Sequence, residues 1–186
     1  MIIGITGRSG AGKSYLSEIL AEKLDLIHID IDKISHEVLS FDESKKFLLN
    51  EFGTEIFDNG ILNRKLLGKI VFSNQEKLDK LNNFCQIEME KKIDEIIASS
   101  KKSLILDYAL LCGLKHFEVC DIKILLKADL DTRYSRVKDR ENISKEYFIS
   151  RDNSLSDFEE ENFDYIFHHI TESEINSLIE DLKSKI

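Results

Sequence analysis

The stretch "GRSGAGKS", residues 7–14, directly follows the apolar run "IIGIT" of residues 2–6. It matches the pattern G-x-x-x-x-G-K-[ST], with a predicted strand before it and helical periodicity after it. Three of the eight glycines of the chain lie in this loop. Glycine lets the backbone turn several N–H groups inward, and the start of a helix adds its positive dipole end. The stretch therefore predicts a phosphate-binding loop, and a glycine turn without a ligand is the less favoured alternative.

The residue types in the loop predict separate roles. Lys13 is expected to reach the β- and γ-phosphates of a nucleotide, and Ser14 is expected to ligate Mg²⁺. For the nucleotide, we predict contacts from the loop, from the residue after it and from one distant arginine: Gly7, Arg8, Ser9, Gly10, Ala11, Gly12, Lys13, Ser14, Tyr15 and Arg136.

Short apolar runs alternate with longer amphipathic stretches along the chain, which indicates a parallel sheet covered by helices on both faces. Residues 40–100 read as almost wholly helical. We therefore expect one α/β domain over residues 1–186, with a helical substrate-binding insertion at 33–100 and a lid region at 128–155. The predicted strands are Ile2–Thr6, Leu26–Asp30, Ser103–Asp107, Asp121–Lys127 and Asp164–His168.

Composition disfavours several classes of protein. A formal net charge of −9 disfavours tight binding to nucleic acid or to an anionic membrane surface. No run of 18 apolar residues is present, so a spanning helix is not expected. The three cysteines, Cys85, Cys112 and Cys120, lack metal-site spacing and predict reduced thiols in a cytoplasmic protein. The oligomeric state is left open.

Two carboxylates follow the second predicted strand in "IHIDIDKISHEVL". If the chain stays extended, Asp30 and Asp32 point to the same side at the carboxyl edge of the sheet, where ligands bind. Asp32 would then position an acceptor hydroxyl, and its alternative role is to cap a helix that starts at Lys33. Asp107, at the end of another apolar strand, is a candidate Mg²⁺-associated acid or else a cap of the next turn. No aspartate has glycine three positions on, as a GTPase motif would require.

Four of the six arginines fall within residues 133–151, in a chain with 26 lysines and arginines in total. Because the planar guanidinium suits phosphate oxygens, this clustering favours a lid that closes over the transferring group. A solvated helix with surface ion pairs, such as Arg136 with Asp139, is the alternative. By contrast, adjacent His168 and His169 at a strand end point to opposite faces and do not predict a zinc site.

Over nearly its whole length the sequence resembles the dephospho-coenzyme A kinase family. The resemblance rests on "GITGRSGAGKS", "HIDIDKISHEVL", "FGTEIFDNGILNRKLLGKIVFSNQEKLDKLN", "LILDYALL", "RVKDRENISKEYFISR" and "FDYIFHH". It implies a P-loop kinase-type three-layer sandwich with a five-stranded parallel sheet, a helical substrate domain and a mobile lid. By position, Asp32 matches the acceptor-activating aspartate of the family, Arg140 its lid arginine and Asp107 the acid before its Pro-Leu-Leu motif.

The chain departs from the family pattern at a few places. Gln86 and Ile87 stand where the family has His-Pro, and Ala109 and Gly113 replace its proline and glutamate. Leu155 falls where a glutamine is expected after the lid, and His168-His169 replace a final Asp-Asn.

The resemblance implies transfer of the ATP γ-phosphoryl group to the 3′-hydroxyl of dephospho-coenzyme A, with Mg²⁺. The predicted catalytic residues are Lys13, Asp32 and Arg140, and the predicted metal-associated residues are Ser14 and Asp107. Two alternatives remain at this point: a P-loop kinase for another small acceptor such as a nucleoside or nucleotide, and an ATP-binding regulator without transfer activity.

Overall fold

The computed structural model describes residues 1–153 and 157–186. The chain divides into two compact units, the first comprising residues 1–30 and 99–186 and the second residues 31–98. The assignment of residues 33–100 as a substrate-binding insertion stays a prediction. So does the lid assignment of residues 128–155, of which 154 and 155 lie outside the described residues.

The first unit is built on a five-stranded parallel sheet in the order β2-β5-β1-β6-β7. The strands are β1 (Ile2–Thr6), β2 (Ile27–Asp30), β5 (Leu104–Asp107), β6 (Ile122–Lys127) and β7 (Tyr165–His168). The helices of this unit are α1 (Lys13–Leu24), α6 (Leu130–Glu141), α7 (Lys145–Asn153) and α8 (Glu172–Lys183). This confirms the predicted α/β class and all five predicted strands to within one residue at each end.

The main core of this unit shows why these runs form strands. Ile3 and Ile5 of β1 are fully buried with alternate residues of β5 and β6, against the apolar faces of α1 and α8. Gly4 points to the opposite face, where an added Cβ would lie 2.7 Å from Cys120 Sγ. Both faces of the central strand are therefore packed, which is why its sequence is continuously apolar.

The second unit contains four helices and a small hairpin. The helices are α2 (Ile31–Glu37), α3 (Asp42–Phe52), α4 (Arg64–Phe72) and α5 (Gln75–Ser99), the last of which runs into the first unit. The antiparallel hairpin pairs β3 (Phe57–Asp58) with β4 (Ile61–Leu62), and the sequence did not predict this short interruption of an otherwise largely helical segment. The reason is local, since Asn59 and Gly60 both adopt positive φ in a tight turn. The core of this unit consists of Leu48, Phe52, Ile56, Leu67, Val71 and Leu81.

The three cysteines are free thiols, as the sequence predicts. Cys120 is buried, and burial raises the pKa of its thiol to about 12. No helix among the described residues has both the length and the apolar content that a membrane crossing needs.

Candidate active site

The glycine-rich loop lies between β1 and α1, as the motif predicts. Gly7, Gly10 and Gly12 all have positive φ, at 147°, 82° and 103°. A Cβ at Gly10 would lie 2.5 Å from the backbone oxygen of Arg133, and one at Gly7 would lie 2.3 Å from that of Leu126. Neither position has room for a side chain. The glycines therefore provide both the turn and the close approach of two neighbouring segments.

Lys13 is the first residue of α1 and retains only 7% of its accessible surface. Its ammonium group makes no hydrogen bond or ion pair with the described residues, whereas a buried cation normally requires a counter-charge. Ser14 and Tyr15 follow it on the exposed side of the first turn. This arrangement suits an anion held at the start of α1.

Acidic side chains stand at the carboxyl ends of two neighbouring strands. Asp30 ends β2 and Asp107 ends β5, and the two residues are partners in the parallel ladder. Asp107 is 2% exposed, and its Oδ2 lies 3.2 Å from Nε2 of His28 on β2. Its Oδ1 is buried without a hydrogen-bond partner among the described residues. The alternative expectation was that Asp107 caps the next turn, and the contact observed instead is the one with His28.

The oxygen donors of Asp107 and Ser14 fit a hard divalent cation such as Mg²⁺, which prefers a few protein oxygens together with phosphate and water. The feature that supports this fit is the buried Oδ1 of Asp107, which has no hydrogen-bond partner in the part of the chain that the structure describes. Within residues 1–153 and 157–186, no cluster of three or more His, Cys, Asp or Glu side chains is placed to hold a metal. A magnesium ion there would therefore depend on the nucleotide for further ligands.

Asp32 is not in an extended segment with Asp30, contrary to the alternation expected from the sequence. The strand ends at Asp30 and α2 begins at Ile31, two residues before the expected start at Lys33. Asp32 is an exposed residue of the first turn of α2. The alternation of side chains along a strand therefore does not continue beyond Asp30, because the side-chain repeat changes there from two residues in the strand to 3.6 residues in the helix.

One arginine of the cluster reaches the loop directly. Arg136 on α6 donates from Nη1 to the backbone oxygen of Gly10 at 3.0 Å. Arg140, one turn further along α6, donates to Glu141 at 2.9 Å and makes no hydrogen bond or ion pair with the described loop. Arg151 donates to the same carboxylate at 2.7 Å. Although burial opposes the change, these two guanidinium groups lower the pKa of Glu141.

Two arginines make contacts that the sequence did not predict. Arg133 on α6 is buried and pairs through both Nη atoms with Asp152 on α7, each at 2.7 Å. Arg8, in the loop itself, donates to the backbone oxygen of Asp152 at 2.5 Å. No spacing rule could have found this cluster, because it depends on how α7 packs beside α6 and the loop.

A pocket of about 570 Å³ lies beside the loop at the carboxyl ends of β6 and β7. His169 has φ 55° and its Nε2 lies 3.1 Å from Oδ2 of Asp129 at the N-terminus of α6. Hydrogen bonds from Thr132 lower the pKa of Asp129. The residues that line this pocket are Arg8, Leu126, Lys127, Ala128, Asp129, Arg133, Asp157, Phe158, Glu160, His168 and His169.

The positions that depart from the family pattern fall on different elements. Gln86 bonds Glu90 along α5 at 3.0 Å, and neighbouring Ile87 is 45% exposed. The backbone oxygen of Ala109 accepts from Thr6 at 3.2 Å, and a Cβ at Gly113 would meet open space. The expected glutamine position, Leu155, lies outside the described residues.

Comparison with known proteins decides the family. The family model described as dephospho-CoA kinase matches residues 1–164. The chain belongs to the dephospho-CoA kinase family. A dephospho-CoA kinase from Fusobacterium nucleatum is 36% identical over 155 residues, covering 78% of this chain and 76% of that protein. One from Halalkalibacterium halodurans is 30% identical over 157 residues, covering 81% of this chain and 78% of that protein.

The fold agrees with this assignment. The solved structure of a dephospho-CoA kinase from Campylobacter jejuni aligns over 100% of this chain and 98% of its own, with a TM-score of 0.69 at 24% identity. As a member of the family, the chain is a kinase that uses ATP to phosphorylate dephospho-CoA in coenzyme A biosynthesis. The predicted family and activity are thereby confirmed, while the roles of individual residues stay predictions.

Proposed function

We propose that this kinase transfers the γ-phosphoryl group of ATP to the 3′-hydroxyl of dephospho-CoA, with Lys13, Asp32 and Arg140 as its catalytic residues. The observation that carries the proposal is the loop itself. A buried lysine at the start of α1 has no ion-pair partner within residues 1–153 and 157–186, and an arginine of α6 is bonded to the same loop. Such an arrangement concentrates positive charge where phosphate oxygens gain charge in the transition state.

The donor nucleotide is held mainly by the loop. Backbone N–H groups of residues 7–15 and the ammonium group of Lys13 bind its phosphates, and Arg136 keeps α6 on the loop through Gly10. Ser14 and Asp107 would hold Mg²⁺, which supplies charge neutralisation between the phosphates. We place the base of the nucleotide in the pocket beside the loop, where the flat rings of Phe158 and His169 form part of the lining.

Asp32 is assigned to the acceptor. A carboxylate that accepts a hydrogen bond from the hydroxyl orients it for in-line attack and can take its proton as the new P–O bond forms. The family resemblance supports this role for Asp32, which is an exposed residue of the first turn of α2. Arg140 supplies positive charge to the transferring group, for which it must exchange its present contact with Glu141.

The function is tested by measuring ADP release from ATP and Mg²⁺ by the purified protein, with and without dephospho-CoA. We expect release that depends on the acceptor and is absent from the Lys13→Ala variant. Mass spectrometry of the product then locates the phosphate on the 3′-oxygen. ATP binding without transfer to dephospho-CoA would contradict the proposal, and faster transfer to a nucleoside or nucleotide would assign another acceptor.

Replacing Arg140 with alanine is expected to lower kcat about tenfold to a hundredfold, with smaller changes in the KM values of both substrates. The reason is that its charge is needed mainly while the phosphoryl group is in transit. Steady-state kinetics measure the effect, and Lys138→Ala, which removes an exposed cation from the same helix, is the control. A change confined to the KM of dephospho-CoA would instead make Arg140 a substrate-binding residue.

A further inference from the structure

We propose that Asp152 is a positioning residue that joins helix α7 to the phosphate-binding loop, so that ATP binding and the ordering of α7 are energetically coupled. The inference rests on the proposed function in one respect, namely that ATP binds at this loop. It assigns a role to a carboxylate that does not itself touch the nucleotide.

The first part of the connection is the pair between Asp152 and Arg133. Both side chains are largely withdrawn from solvent, at 12% and 6% exposure, and the two hydrogen bonds form a parallel fork. Arg133 also donates from Nε to the backbone oxygen of Ala128 at 3.0 Å, which fixes it to the segment between β6 and α6. A bidentate pair of this kind has one preferred geometry, so it sets the position of α7 relative to α6.

The second part of the connection reaches the loop. Arg8 donates to the backbone oxygen of Asp152, and the same Nη1 lies 3.5 Å from its Oδ1. Its other amino group donates to Asp157 at 3.1 Å, where the carboxylate is fully exposed and contributes little. The side chain of Arg8 is therefore directed toward the end of α7, although its backbone belongs to the loop.

The electrostatic balance explains why Asp152 holds this cluster together. Its carboxylate is the partly buried negative charge that faces two guanidinium groups, and hydrogen bonds from Arg133 lower its pKa. Without that charge, Arg8 and Arg133 would repel each other at the edge of the loop. The backbone of Arg133 also packs directly on Gly10, so a displaced α6 would move the loop as well.

Energetic coupling between ATP binding and the ordering of α7 must act equally in both directions. If α7 helps to hold the loop in its binding conformation, ATP must in turn stabilise α7. A purely structural ion pair would stabilise α7 equally with and without nucleotide.

The test measures ATP affinity by titration calorimetry and hydrogen exchange of the α7 amides, with and without ATP. For the Asp152→Asn variant we expect the Kd for ATP to rise about tenfold, and the ATP-dependent protection of α7 to be lost. Asp131→Asn is the matched control, because Asp131 pairs with Lys145 at 2.6 Å between the same two helices but does not reach the loop. It should leave the Kd for ATP unchanged.

The Arg8→Ala variant tests the same connection in a second way, because it removes the contact between the loop and α7 and leaves the pair between Arg133 and Asp152 in place. We expect the same loss of coupling, and the double variant Arg8→Ala with Asp152→Asn should bind ATP no more weakly than either single variant. Additive losses would mean that Arg8 contacts the nucleotide on its own, which overturns the inference. An unchanged Kd and unchanged ATP-dependent protection in both single variants would overturn it too, while the proposed function would stand. If the native protein bound ATP no better than Lys13→Ala does, both would fail.

Discussion

Replacing Lys13 with alanine is expected to reduce kcat/KM by about a hundredfold to a thousandfold, with the folded structure retained. Lys13 is buried at the start of α1 and has no carboxylate partner among the described residues, so its charge is available to the phosphates. The loss arises because the transferring group gains charge on its oxygens, and the ammonium group of Lys13 is a fixed cation placed to stabilise that charge.

The control for this variant is Lys23→Ala, at the other end of the same helix. Lys23 is exposed and its nearest acidic partner is Glu22 at 3.8 Å, so its removal should leave kcat unchanged. Steady-state kinetics and a thermal melt of both variants separate a catalytic loss from a loss of folding. If Lys13→Ala kept more than half of the native kcat/KM, the catalytic assignment of this lysine would be wrong.

The Asp32→Asn variant is expected to lose about a hundredfold or more in kcat while its Kd for ATP stays within twofold of the native value. Asparagine has almost the same size, so the substitution removes the negative charge and the proton-accepting oxygen with little change in packing. Single-turnover measurements with saturating ATP and dephospho-CoA observe the chemical step directly.

Two further variants make this result specific. Asp42→Asn is the control, because it removes an exposed acid from the first turn of α3. It changes the charge at a helix N-terminus as Asp32→Asn does, but Asp42 has no proposed catalytic role. Asp30→Asn tests the neighbouring carboxylate at the end of β2. Native turnover in Asp32→Asn together with a large loss in Asp30→Asn would move the acceptor-activating role to Asp30.

The strands and the phosphate-binding loop are the features that the sequence predicted best. Continuous apolar runs such as Ile2–Thr6 became buried parallel strands, because both faces of the sheet are covered. The phosphate-binding loop could be predicted because its features lie in one short segment. These features are glycines at positions with positive φ and a lysine in the first turn of a helix. Local patterns of this kind need no knowledge of distant residues.

The hairpin of β3 and β4 and the start of α2 show where local patterns fail. Strands of two residues are too short for a period to be read, and only the Asn-Gly turn between them carries a signal. At Asp30 the backbone changes directly from strand to helix, so a prediction based on continued alternation gave the wrong geometry for Asp32.

The sequence by itself determined the class of fold, the nucleotide-binding loop and the family, because each is encoded in contiguous residues with their own backbone preferences. Only the tertiary structure decided which partner each charged side chain has. Arg133 pairs with Asp152, Arg8 reaches the end of α7, and His28 contacts Asp107. These contacts join residues up to 144 positions apart, and charge attraction has no sequence period. They form only after the apolar core has brought the strands and helices together.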